Sequence, residues 1–375
     1  MYKNIILPAS ILAGTIIGAG IFSLPFVFNA AGMPAGLFYL LFFSVIYIFI
    51  YIFYADVMLR TSGEHRFVGY ARIYFGNWGF WAALLFGLAQ LFFVLTIYLI
   101  LAPSFSGLFF PDDYLSQLLI FWFLGSAAIL FDTKRVASLE FIIVAGIITI
   151  IFLIFGLGAK SVFFVNWSII GDFSSRSLVL FGPVLFALSG SLAVPEVVSY
   201  FRESGISISF LKKSLILGSF LPAFIYAAFV VGILGLSPKV SEDAVSGLVG
   251  YAPSYILVFL GILGFLSLIS SYIVAGLNAR RVLQYDLNLS GRLSRFLVIL
   301  IPLALYFLGF QNFLGLVTFV GAVFLPLESI FIIFMWLRAD KGAEAPPILV
   351  GNFVRTSIPF LILVFLTGLI YVIIK

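Results

Sequence analysis

"GTIIGAGIFSLP", residues 14–25, decides how this chain is read. It sits in a long apolar run near the N-terminus, where a membrane-crossing helix is expected. Yet Gly14, Gly18 and Gly20 weaken a helix, and Pro25 removes a backbone donor. A weak point at mid-depth needs a reason, because a peptide group left without a partner in hydrocarbon costs several kcal/mol.

The surrounding composition sets the class. The chain has 375 residues, of which 63% are hydrophobic and 9% charged. No water-soluble fold of this length covers that much apolar surface, so the chain reads as an all-α integral membrane protein that crosses the bilayer many times. Continuous rather than alternating apolar runs speak against a barrel. The chain has no cysteine, which excludes disulfides and thiolate metal sites, and its one histidine, His65, leaves little room for histidine chemistry. The first apolar run lacks a small-residue cleavage site and is expected to remain as a span.

Runs of about 20 apolar residues predict eleven transmembrane helices. They fall near 5–31, 34–59, 78–104, 115–131, 138–159, 178–200, 213–236, 253–278, 294–310, 312–337 and 354–374. With the N-terminus in the cytoplasm, the inner side carries Lys3, Arg60, Arg66, Arg72, Lys134, Arg135, Arg202, Lys212, Lys213, Arg280, Arg281, Arg292, Arg295, Arg338, Lys341 and Arg355. The outer side carries only Lys160, Arg176, Lys239 and Lys375, and the C-terminus is expected outside. That asymmetry is the positive-inside pattern of a cytoplasmic membrane protein. It accounts for the net charge of +5 without a nucleic-acid partner. Two inner connectors, 64–79 and 202–214, mix basic and apolar residues. They read either as helices lying in the interface or as ordinary connectors.

The opening motif has an echo. Residues 20–25 read "GIFSLP" and residues 190–195, in the sixth predicted span, read "GSLAVP": Gly, four residues, Pro. Each stretch belongs to the first span of a block of five. Five is odd, so the second block enters from the opposite side, giving a 5+5 inverted repeat with the first and sixth helices broken. The repeats cover 1–160 and 178–338 in one membrane domain, and residues 352–375 add an eleventh helix. Gly14-x-x-x-Gly18 alone could be a close-packing motif. Two matching stretches favour breaks that line a cavity. Half-helix N-termini suit an anion and unwound carbonyls a cation, so a zwitterion such as an amino acid fits between them.

At these residues the chain resembles the amino acid–polyamine–organocation transporters, which share the leucine-transporter fold. "GTIIGAGIFSLP" is similar to their first-helix signature. "LFALSGSLAVPEV" (185–197) resembles most the amino acid/auxin permease and aromatic/hydroxy amino acid permease branches. The resemblance implies a substrate site between the first, third, sixth and eighth spans. Backbone at Thr15, Gly18, Ala19 and Gly20 would take a carboxylate. The sixth-span break near Phe186, Ala187, Ser189 and Gly190 would take an amine. Gln90, in the third span, either reaches this pocket or makes an interhelical hydrogen bond.

Ser267, Ser270 and Ser271 share one face of the eighth span, at spacings of three and four. The resemblance implies that they, with carbonyls of Gly14 and Ile17, bind one sodium ion, and an all-oxygen set suits a hard cation. Serines in membrane helices also bond their own backbone. Protons are the competing driver. Some members of the family that the chain resembles replace the sodium with a lysine of the fifth span; here that span has no lysine before Lys160, which counts against this protonic version. Glu196 and Glu328, acids at depth, keep another open. The expectation is a symporter importing a neutral amino acid by alternating access. Sodium is its first-choice coupling ion and the proton the alternative, no cofactor is needed, and a monomer suffices. A membrane enzyme or passive pore is the rival class. The spans lack the polar constellation of the one and the charge rings of the other.

Overall fold

A backbone crossing hydrocarbon must satisfy its own N–H and C=O groups, and a helix does so within one segment. The computed structural model describes residues 2–63, 65–110, 113–131, 136–164, 177–340 and 352–374, and among these every regular element is helical. The α-helices are α1 (Leu7–Ile16), α2 (Leu24–Ala31), α3 (Met33–Arg60), α4 (Phe67–Ser106), α5 (Tyr114–Phe131), α6 (Val136–Gly158) and α7 (Phe181–Leu188). They continue with α8 (Val194–Ser204), α9 (Ser209–Leu236), α10 (Ser254–Arg281), α11 (Gly291–Phe307), α12 (Phe313–Phe319), α13 (Leu325–Asp340) and α14 (Asn352–Ile374).

Seven helical segments among the described residues are long and apolar enough to cross a bilayer, and the bent pair Tyr2–Ile16 with Ala19–Ala31 makes an eighth. Tyr114–Leu130 and Ala145–Ser161 are apolar but shorter. The helix at α11 brings Arg292 and Arg295 into its first turns. These three correspond to the fourth, fifth and ninth predicted spans. Lys134, Arg135, Arg176, Lys341 and Lys375, used above for orientation, lie outside the described residues.

The two inner connectors separate. Residues 67–75 are helical and join the third span through Gly76, whose φ of 68° is left-handed and suits glycine. The 202–214 stretch is not a helix of its own. Here α8 ends at Ser204, Gly205 turns the chain at φ 66°, and α9 starts at Ser209.

Both Gly-x4-Pro stretches interrupt their spans. In the first, α1 stops at Ile16, Ile17 and Gly18 leave helical geometry, a 3-10 turn covers Ala19–Ser23, and α2 restarts at Leu24. The two halves bend by 52°. In the second, α7 stops at Leu188, Ser189 and Gly190 are non-helical, a 3-10 turn covers Ser191–Ala193, and α8 restarts at Val194. Pro25 and Pro195 fall in the first turns of the restarted helices, where the missing N–H has no intrahelical role. The prolines therefore mark restarts, and the breaks lie upstream. A third irregularity is a π turn at Val320–Phe324 between α12 and α13. It precedes Pro326, which cannot donate to the carbonyl four residues back.

Tyrosine hydroxyls satisfy the groups freed at the breaks. Tyr47 donates to the Leu185 carbonyl at 3.0 Å and Tyr51 to that of Leu188 at 2.7 Å. The Tyr226 hydroxyl, on α9, lies 2.6 Å from the Ile16 carbonyl and 2.9 Å from the Ala187 carbonyl, so one side chain clasps both breaks. All three tyrosines are buried. Small residues bring the helices close enough for this. A Cβ on Gly20 would overlap the Ala187 backbone, one on Gly158 would overlap Gly232, and one on Gly321 would overlap Gly182. On the Arg60 side Asp56 is buried, 3.2 Å from the Arg60 guanidinium, and accepts the Trp336 indole N–H at 2.6 Å.

Removing the clasp should show in stability. Tyr226→Phe removes the one O–H donor that the two buried carbonyls share, which costs about 1–3 kcal/mol. The melting temperature of the purified protein in detergent should fall, and no change would remove Tyr226 from this role.

Candidate functional site

The first break leaves polar groups without partners. Among the described residues no hydrogen bond reaches the carbonyls of Gly14, Thr15 or Ile17, while Ile17 N–H still bonds to Ala13 O at 2.9 Å. The amides of Ala19 and Gly20, first in their 3-10 turn, have no backbone acceptor. At the second break the Ser189 amide donates to Phe186 O at 3.2 Å, and its hydroxyl donates to the same oxygen at 2.9 Å. The last carbonyls of α7 are thus satisfied, so the open carbonyls lie on the first break, while the second break, like the first, keeps open amides, at Ser191 and Leu192.

The two breaks face one cavity of about 110 Å³. Thr15, Gly18, Ala19, Gly20, Gln90, Phe186, Ser189 and Gly190 line it, as does the expected ion ligand pair Gly14 and Ser271. Ala187 stands behind the wall against Gly20. Sequence reasoning misses Val94 and Tyr98 on α4, and Val274 and Ala275 on α10, which complete the lining. A signal for the first pair exists: 90, 94 and 98 step by four along one face of a helix. Among the described residues no Asp, Glu, Lys or Arg lines this cavity. Any charge on a guest must be met by backbone dipoles, hydroxyls or an accompanying ion.

The glycines divide by what they face. A Cβ on Gly14 would meet nothing within 4 Å, and one on Gly18 would reach only the Ile16 carbonyl at 4.0 Å. Those on Gly20 and Gly190 would overlap Ala187 and the Ile16 side chain. Gly14 and Gly18 keep space open, whereas Gly20 and Gly190 let the two breaks touch.

On α10 the three serines differ. Ser271 lines the cavity, Ser270 is buried with no hydrogen-bond partner for its Oγ, and Ser267 is half-buried. A buried hydroxyl without a partner is uncommon. It lies on the helix that presents Ser271 beside Gly14.

The two acids also part ways. Glu196 is exposed on α8 and lines neither cavity. Glu328 is buried, accepting from Ser191 Oγ at 2.6 Å and from Gln90 Nε2 at 3.3 Å. Gln90 therefore does both things considered for it: it lines the cavity and bonds to another helix. Glu328 faces a second cavity, of about 80 Å³, that shares Gln90, Leu91, Ser191 and Leu192 with the first.

Comparison with known proteins matches this architecture. The model of the tryptophan/tyrosine permease family covers residues 1–375. No curated protein sequence matches. Among solved structures, the chain is similar to MhsT in complex with L-phenylalanine, at 17% identity and a TM-score of 0.70, over 96% of this chain and 97% of that one. It is also similar to Mhp1, a nucleobase-cation-symport-1 family transporter, at 14% identity and a TM-score of 0.66, over 97% and 89%. A manganese transporter of Eremococcus coleocola matches at 14% identity and a TM-score of 0.65, over 99% and 85%. At such identities the likeness shows the fold alone, one this chain shares with these transporters. The chain is a membrane transporter rather than an enzyme, and it belongs to the tryptophan/tyrosine permease family.

Proposed function

We propose that this protein imports an aromatic amino acid, tryptophan or tyrosine, across the cytoplasmic membrane by alternating access. The observation that carries this reading is the cavity between the two breaks, which has free amides and carbonyls on one wall and no charged side chain. A zwitterion with an uncharged side chain suits that chemistry. Its carboxylate would lie at the Gly18–Gly20 amides and its ammonium at the Ser189 side. The family supplies the aromatic preference, which the high Phe count alone does not. Phe186, Val94 and Tyr98 offer apolar and aromatic surface to such a ring.

The proposed topology is eleven spans in two inverted repeats, 1–160 and 178–338, with a final helix at 352–375. The N-terminus is cytoplasmic and the C-terminus outside, in keeping with the Lys and Arg asymmetry.

Sodium is the proposed coupling ion. The unpartnered Ser270 hydroxyl, the open Ser271 and the free carbonyls of Gly14 and Ile17 support it. Together with Ser267 they form an oxygen-only set of the kind a hard cation prefers. Glu328 favours a second reading, proton coupling. It is a buried acid held by neutral partners at the boundary of the cavity.

Proteoliposomes test both readings. Labelled L-tryptophan should accumulate under an inward sodium gradient. Accumulation driven only by a pH gradient would transfer the coupling role to Glu328. Gly18→Leu fills the cavity and should abolish uptake while the protein stays monodisperse, whereas Gly20→Leu should impair folding. Unimpaired uptake by Gly18→Leu would contradict the site. Ser271→Ala should raise the sodium concentration for half-maximal uptake several-fold, and an unchanged value would remove the serines from ion binding.

A further inference from the structure

Two cavities share a wall, and the second one carries charge. Glu328 lies deep in it, and Arg66, exposed and bonded to Asn278 Oδ1 at 3.0 Å, lines the same space. Among the described residues no Lys or Arg nitrogen comes within 4.0 Å of the Glu328 carboxylate. Both of its oxygens accept from uncharged donors, Ser191 and Gln90. A carboxylate in that setting lacks a countercharge. Between the two charged groups the walls are Tyr54, Phe67, Phe86 and other apolar side chains. The cavity measures about 80 Å³, and its apolar walls suit a ring.

We infer that this cavity is a second binding site for the transported zwitterion, on the Arg66 side of the central one. The ammonium of the guest goes to Glu328, its carboxylate faces Arg66, and its ring lies against Phe67 and Phe86. The inference rests on the reading of the chain as an amino acid transporter. Gln90 and Ser191 line both cavities and both donate to Glu328. An ammonium arriving at Glu328 competes with those two donors and loosens the wall between the sites. The second cavity is therefore a stage on the substrate's path, distinct from the first in having both charges supplied by side chains.

Equilibrium dialysis of the purified full-length protein with labelled L-tryptophan tests this. The wild-type chain should bind two equivalents at saturation. Gly18→Leu, which fills the central cavity, should keep one. Adding Arg66→Ala or Glu328→Gln to that variant should remove it, and Arg66→Ala alone should leave one equivalent at the central site. Gel filtration and circular dichroism check that each variant is folded. If Glu328→Gln fails that check, Arg66→Ala, at an exposed position, carries the test. A wild-type chain that binds one equivalent, lost in Gly18→Leu, would overturn the second site while leaving the proposed function standing. Retention of the remaining equivalent in either double variant would overturn it too. A wild-type chain that binds none would overturn the transport reading itself, and the second site with it.

Discussion

A peptide group inside a bilayer must have a partner, and this structure is arranged around the few that a helix does not satisfy. Two spans are interrupted halfway. Their freed groups are divided between internal partners, mainly tyrosine hydroxyls, and a cavity. Tyr47 and Tyr51 from α3 take the carbonyls at the end of α7, and Tyr226 from α9 takes one carbonyl from each break. What they leave, carbonyls on the first break and amides on both, belongs to residues that line the cavity or adjoin it. Glycine serves both purposes: Gly20 and Gly190 allow the breaks to touch, and Gly14 and Gly18 leave room beside them.

This division explains why the cavity can be uncharged and still suit a charged guest. A fixed Asp or Lys at this depth would be costly when the site is empty. Backbone dipoles at a helix end carry a fraction of a charge and stay partly solvated by the cavity. Charged side chains enter only one layer further, at Glu328 and Arg66, where a separate space holds both. The wall between the layers is made by residues that Glu328 itself restrains. On the proposed reading the chemistry changes along the path, from backbone in the first cavity to side chains in the second.

The sequence discloses much of this, unevenly. The helical class and the breaks follow from apolar run length and from the Gly-x4-Pro pair, because both signals are local; the residues named for the central lining come from the resemblance to a transporter family. The prolines point to the breaks only indirectly, since they sit where the helices restart rather than where they stop. The clasping tyrosines are illegible in advance. The chain holds 17 Tyr and 46 Phe, and Tyr226 meets a carbonyl 210 residues away. Glu328 illustrates the same limit. Its depth is readable from the apolar run around it, but the identity of its partners is not. Ser191 and Gln90 hold it, one from the second break and one from α4. Glu196 follows Pro195 directly, yet it stands on an exposed face of α8. Its place in the motif fixes its height along the helix but not the direction in which it points.

On the proposed reading, the Ala19 and Gly20 amides, which have no backbone acceptor, are kept for a carboxylate. A cryo-electron microscopy map of the protein with L-tryptophan tests it most directly. The account expects the amino acid between the breaks, its carboxylate within hydrogen-bond distance of the Gly18–Gly20 amides. A map with residues 14–25 as one continuous helix, or with the ligand bound away from that segment, would contradict it.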